Sequence, residues 1–158
     1  MAPAGVFLPG ELPLNQQDLA ITLALILPQA RVLAVDASSE ALAVARDNAR
    51  RLHAEVDFLQ SDWYREVPGQ AFDLIVSNPP YIAAGDAHLS QGDLRFEPHG
   101  ALTDDSTDGL QSLRQIIHGA TTRLKPGGWL WLEHGFDQAA ACEALLREAG
   151  LVKAQSHA

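Results

Sequence analysis

The feature that most constrains the fold is an alternation of short apolar runs with longer segments of helical spacing. Residues 31–36 (RVLAVD) form an apolar run that ends in an acid, the pattern of a strand buried on both faces. Ser38-Ser39-Glu40 then offers helix N-cap residues, and Leu42, Ala45, Ala49 and Leu52 recur at helical spacing as far as about His53. Residues 55–60, 72–77 (FDLIVS) and 129–133 (WLWLE) read as three further strands. Helices are expected over 15–27, where Pro28 ends the pattern, over 109–124, and over 137–149, closed by Gly150. Pro126-Gly127-Gly128 reads as a turn before the last strand, on which Trp129 and Trp131 share one face and are expected to pack in the core or against a helix.

Strands alternating with helices predict an α/β fold with a parallel sheet between two helical layers. Residues 1–14, with three prolines and two glycines, read as an irregular segment ahead of a single domain over 15–158. The chain has room for a real core and shows no repeat, linker or low-complexity tract.

Charge and cysteine content narrow the function classes. The formal charge is −9, and the eleven Lys and Arg form no run longer than Arg50-Arg51, which points away from nonspecific nucleic-acid binding. Cys142 is the single cysteine, so neither an intramolecular disulfide nor a cysteine zinc cluster is available, in keeping with a reducing cytosol. The N-terminal residues lack the basic start of a secretory signal. The apolar stretch from Leu19 to Leu27 is far short of the about 20 residues a membrane helix requires, so a soluble, cytoplasmic protein is expected.

In open parallel sheets, ligands bind beyond the carboxyl ends of the strands, and Asp36, Asp62, Asn78 and Glu133 all stand at or just past such ends. Asp36 is placed either to accept hydrogen bonds from a ribose diol or to serve as a helix-capping or loop acid. Ser61-Asp62-Trp63 sets an acceptor beside a large flat ring, which suits the amino group and face of an adenine; the plainer reading of Trp63 is a core plug. His134 beside Glu133 reads as a structural pair at a strand end. Asp104, Asp105 and Asp108 read as a solvated loop, and no histidine pair has the spacing of a helical metal site.

Asn78-Pro79-Pro80-Tyr81, directly after FDLIVS, carries the sharpest chemistry. Two prolines fix φ, push the preceding Asn78 toward an extended conformation and remove two backbone donors. Carbonyl oxygens there are left to accept from a ligand, while Asn78 offers an acceptor and two donors and Tyr81 a flat face with a hydroxyl. A planar NH2 group gripped between the Asn78 oxygen and the Pro79 carbonyl would present its nitrogen to a methyl donor. Such a nitrogen is a poor nucleophile, so alignment and charge stabilisation must lower the barrier.

From Arg31 to Ala149 the chain resembles the release-factor glutamine methyltransferases, a branch of the Rossmann-like S-adenosylmethionine-dependent enzymes. The resemblance rests on VLAVDASSEALAVARDNA, FLQSDW, FDLIVSNPPYI, HLSQGDLRFEPHGAL, DGL and LKPGGWLWLEHG. The tetrapeptide alone is shared with amino-methyltransferases of DNA and ribosomal RNA, and GDLRFEP separates the release-factor branch from them. The resemblance implies that Asp36 holds the cofactor ribose, Asp62 and Trp63 the adenine, with Asn78 at the junction with the substrate. Asn78, Pro79, Pro80 and Tyr81 would then hold the substrate amide, and the segment containing Arg95 and Glu97 would shape the wall beside it. The implied partner is the Gly-Gly-Gln loop of a peptide chain release factor, without direct nucleic-acid binding. Cys142, His134 and the scattered acids have no role in this scheme.

The chain departs from that family at its cofactor loop, of the form D-x-G-x-G-x-G. Alignment puts Asn15, Gln17 and Leu19 where the three glycines belong, and Pro9 to Leu14 makes a poor first strand. The family's preceding helical domain and its closing antiparallel strands are also missing, so the sheet is expected to be incomplete at both ends. A truncated or frame-disturbed relative explains this better than a diverged loop, since the family residues beyond about Leu19 are intact. Weak cofactor binding and little or no activity follow as expectations. The competing readings are an amino-methyltransferase of adenine or guanine in nucleic acid, a non-catalytic remnant, and a nicotinamide-dependent Rossmann protein. The last also needs a glycine loop and leaves Asn-Pro-Pro-Tyr unexplained.

Overall fold

The computed structural model describes residues 5–8, 14–69, 71–84, 102–103 and 106–156, with side chains from Leu19 onward. Five strands, β1 (Gly5–Leu8), β2 (Arg31–Asp36), β3 (Val56–Gln60), β4 (Phe72–Ser77) and β5 (Leu124–Leu132), form one sheet in the order β3-β2-β1-β4-β5. Each neighbouring pair is parallel. Among the described residues four helices accompany them: α1 (Leu14–Ile26), α2 (Ser39–Leu52), α3 (Gln111–Thr121) and α4 (Ala139–Glu148). No helix among the described residues is long and apolar enough to cross a membrane.

The continuous apolar run of β2 has a direct cause: its two faces serve two cores. Leu33 and Val35 pack with Tyr64, Val67, Phe72, Ile75 and Ala120 on one side. Val32 and Ala34 pack beside Ala20 of α1 on the other. Ser38 caps α2 by accepting from the Ala41 N–H at 3.1 Å, and His53 ends it in the left-handed conformation at φ 56°. Leu42, Ala45 and Ala49 are the buried stripe of that helix.

Three sequence expectations need correction. Within residues 1–14 the irregular reading gives way over Gly5–Leu8 to β1, the middle strand of the sheet, pairing β2 from Gly5↔Arg31 to Leu8↔Ala34 and β4 at Val6↔Leu74 and Phe7↔Ile75. Four residues between prolines carry little strand signal of their own; a parallel neighbour on each side supplies the hydrogen bonds. Pro126-Gly127-Gly128 lies inside β5, where the register to β4 jumps between Phe72 and Leu74, so the turn is a bulge within a longer strand. Gly127 at φ 81° provides its left-handed step. The third concerns Trp129 and Trp131, which share a face but are 62% and 59% exposed. They stand on an edge strand, on the face opposite Leu130 and Leu132, whose side chains pack inward.

Because β2 and β4 flank β1 on opposite sides, the strand order reverses there, and the carboxyl ends of β1 and β4 mark the switch point at which open α/β sheets take their ligands.

Candidate functional site

Two hydrogen bonds extend the ladders one step beyond the strands. The Asp36 carbonyl accepts from the Ser61 N–H at 3.0 Å, and the Ser77 carbonyl from the Glu133 N–H at 3.0 Å. The sheet thus delivers Asp36 beside Ser61-Asp62, and Asn78 beside Glu133, along one rim.

Asp36 is 1% exposed, and its Oδ1 accepts from the Ser38 N–H at 2.7 Å. The helix cap is Ser38; the Asp36 carboxylate shapes the turn leading to it. The Ser61 hydroxyl donates to the Trp63 carbonyl at 3.0 Å and accepts from the Glu66 N–H at 2.9 Å, closing the turn after β3. Within it Trp63 takes a left-handed φ of 50°, its ring partly buried against the Leu33–Phe72 core. The core-packing reading of that ring therefore holds for part of its surface. Asp62 is exposed, 3.4 Å from the Arg65 guanidinium.

The loop after β4 carries two prolines of fixed φ. Pro79 and Pro80 are buried, Asn78 and Tyr81 half-buried. Tyr81 is held at both ends: its hydroxyl donates to Glu133 Oε1 at 3.1 Å, and its carbonyl accepts from Gln138 Nε2 at 2.9 Å. Burial raises the Tyr81 phenol above the ordinary tyrosine range, and the Glu133 charge and hydrogen bond add to the rise. Downstream, Ile82 bridges Thr103 in parallel, and Ala84 N–H donates to the Ser106 carbonyl at 2.8 Å. Arg95, Glu97, Asp104 and Asp105 lie outside the described residues.

The sequence reading missed Gln138 and Gly109. Gln138 opens α4 and bears no local mark of function. Gly109, at φ 64°, approaches so closely that a Cβ there would lie 2.3 Å from the Tyr81 carbonyl oxygen; its only sequence trace is the DGL motif. Asp108 is exposed, in keeping with the solvated-loop reading, and it is also anchored. It accepts from Arg114 at 2.6 Å and from the Leu110 N–H at 3.1 Å, contacts that lower its carboxyl to about 2. His134, expected to pair with Glu133, has other contacts: its Nδ1 lies 2.8 Å from the Gly135 carbonyl and its Nε2 3.3 Å from the Ser156 hydroxyl, while Glu133 accepts from Tyr81.

The solved structures that resemble this chain include a methyltransferase from Pyrococcus furiosus, with TM-score 0.63 and 18% identity, covering 96% of this chain and 65% of that one. A ribosomal protein L11 methylase from Lactobacillus delbrueckii subsp. bulgaricus matches with TM-score 0.61 and 22% identity over 93% and 60% of the two chains. The sequence model of the methyltransferase small domain matches residues 18–94. Strand order and these likenesses show the fold, a Rossmann-like methyltransferase fold.

Among curated relatives, the release factor glutamine methyltransferase of Bordetella pertussis is 60% identical over 87% of this chain and 51% of its own length. That of Burkholderia pseudomallei is 52% identical over 89% of this chain and 51% of its own. The chain is similar in sequence to the release factor glutamine methyltransferases and spans about half the length of these relatives.

Proposed function

We propose that this chain forms the catalytic core of an S-adenosylmethionine-dependent N-methyltransferase whose substrate is the glutamine amide of the Gly-Gly-Gln loop in peptide chain release factors. The observation that carries the reading is Asn78-Pro79-Pro80-Tyr81 at the sheet's switch point, with both prolines buried and Tyr81 fixed at its two ends. Asn78 and the Pro79 carbonyl grip the substrate NH2 group, and Tyr81 lies along its plane. Bound S-adenosylmethionine would supply an electrophilic methyl group and leave as S-adenosylhomocysteine, the amide proton being lost to water, while the residues above would hold the nitrogen in line for it. The protein's part is alignment, the term that suits a weak nucleophile. Such modification belongs to translation termination, in the cytoplasm.

The cofactor fits this chain at one end. Asp36 and the Ser61–Trp63 turn stand at adjacent strand ends, where a ribose and an adenine are taken in such folds. The methionine end fits less well. Because α1 begins at Leu14, Asn15, Gln17 and Leu19 are helical and offer no glycine loop for close backbone approach. That helix favours one second reading, a non-catalytic remnant.

Transfer of a labelled methyl group from S-adenosylmethionine to a release factor tests the choice. Asn78→Ala is expected to abolish transfer with the fold retained, and Asp36→Ala to weaken cofactor binding measured by calorimetry. Transfer surviving Asn78→Ala would remove the amide grip from the account. Cofactor binding without transfer in the parent chain would favour the remnant.

A further inference from the structure

Tyr81 belongs to the loop after β4, yet both its fixed points come from the turn between β5 and α4. Gln138 supplies more than one contact. Its Nε2 lies 2.9 Å from the Tyr81 carbonyl, 3.3 Å from that of Asp108 and 3.4 Å from that of Gly109. Its Oε1 accepts from the Gly135 N–H at 2.8 Å. One carboxamide therefore joins the Asn-Pro-Pro-Tyr loop, the entry to α3 and the exit from β5.

Resting on the methyltransferase reading, we propose that Gln138 is a positioning residue that sets where Asn78 presents its amide to the substrate. The link is mechanical. Pro79 and Pro80 have fixed φ and are buried, so few soft torsions separate Tyr81 from Asn78 and a shift at one is carried to the other. The donor chemistry is specific, because three carbonyl oxygens face Nε2 and a group without N–H cannot serve them. Gly109 completes the arrangement, since only a residue without Cβ lets the α3 entry come this close to the Tyr81 carbonyl.

The chain's two tyrosines make the clamp observable without catalysis. Tyr64 is buried, donates to the Ile116 carbonyl at 3.1 Å and ionises far above the ordinary range because of its burial, so it serves as an internal reference. In Gln138→Met, of similar length but without the N–H, Tyr81 is expected to loosen from Glu133. Its phenolate absorbance then appears at lower pH than in the parent, while the Tyr64 titration stays close to its own. If the Met variant does not fold, Gln138→Asn, which keeps the amide but falls short of the carbonyls, carries the same readout. In the release-factor assay the same change is expected to lower kcat about 10²-fold, the order associated with a misplacement of about 1 Å, with KM for S-adenosylmethionine unchanged. An unshifted Tyr81 titration in a folded variant, or a kcat equal to the parent's, overturns the proposal. A parent chain that transfers no methyl group defeats the functional reading instead, and the titration alone then decides whether Gln138 sets the loop.

Discussion

Replacing Gly109 by alanine combines two penalties that other glycines of this chain present singly. At φ 64° an alanine sits in the left-handed region, at a cost of about 1–2 kcal/mol. Its Cβ would lie 2.3 Å from the Tyr81 carbonyl oxygen, whereas a carbon–oxygen contact settles at about 3.3 Å, so about 1 Å of backbone separation must open. Overpacking of this kind costs about 1–3 kcal/mol. The 2.9 Å bond from Gln138 to the same oxygen would stretch out of range, losing about 1 kcal/mol more. The sum, about 3–6 kcal/mol, is a large share of the about 5–15 kcal/mol that holds a domain folded. Two controls divide it. Gly150, at φ 78° with nothing within 4 Å of its Cβ position, isolates the left-handed strain. Gly119, where a Cβ would lie 2.3 Å from two carbons of the Tyr64 ring, isolates the clash, less about 1 kcal/mol regained from helix propensity. Urea unfolding of the three alanine variants is expected to rank Gly109→Ala as the most destabilised. A Gly109 variant no less stable than Gly150→Ala would refute the close approach, and with it the packing of the α3 entry against the Tyr81 loop.

Asp108 titrates at about 2 in the folded chain, below the ordinary value of 3.8, so its pairing stabilises above about pH 4 and is lost as pH falls toward 2. Arg114→Met is expected to flatten the stability profile across that window in acid titrations followed by circular dichroism. Arg123 donates to the Val67 carbonyl at 2.9 Å and the Tyr64 carbonyl at 3.1 Å, with its guanidinium 5.4 Å from the Tyr64 ring. Arg123→Met is expected to cost about 1.5–3 kcal/mol in urea, the range for hydrogen bonds to charged groups, and Arg123→Lys to recover only part of it. Trp129→Lys is expected to change stability by no more than about 0.5 kcal/mol, as surface substitutions do; a loss of about 3 kcal/mol would mean that its ring is buried in solution.

What was legible in the sequence is what local physics determines. Val32 and Ala34 alternate with Leu33 and Val35, all apolar because the strand is covered on both sides, so β2 declares itself in six residues. Asn78-Pro79-Pro80-Tyr81 is legible for a related reason: proline fixes torsions within the tetrapeptide, whatever lies around it. Strand β1 is the opposite case. Its position between β2 and β4 stabilises it, and no property of Gly5–Leu8 alone announces that setting. Period-two spacing correctly placed Trp129 and Trp131 on one face, but coverage of that face depends on elements far away in the chain. The same limit hid the clamp, since Tyr81 and Gln138 are 57 residues apart and meet only once β4 and β5 pair. The substrate end of the proposed site is therefore built from short-range rigidity and one long-range lock, both present in this chain. The cofactor end rests on Asp36 and the turn after β3, opposite a helix that begins at Leu14 where a glycine loop would be required. Under the proposed function the cofactor end is the weaker of the two, so replacing the helical residues 15–19 with a glycine loop is expected to tighten S-adenosylmethionine binding measured by calorimetry.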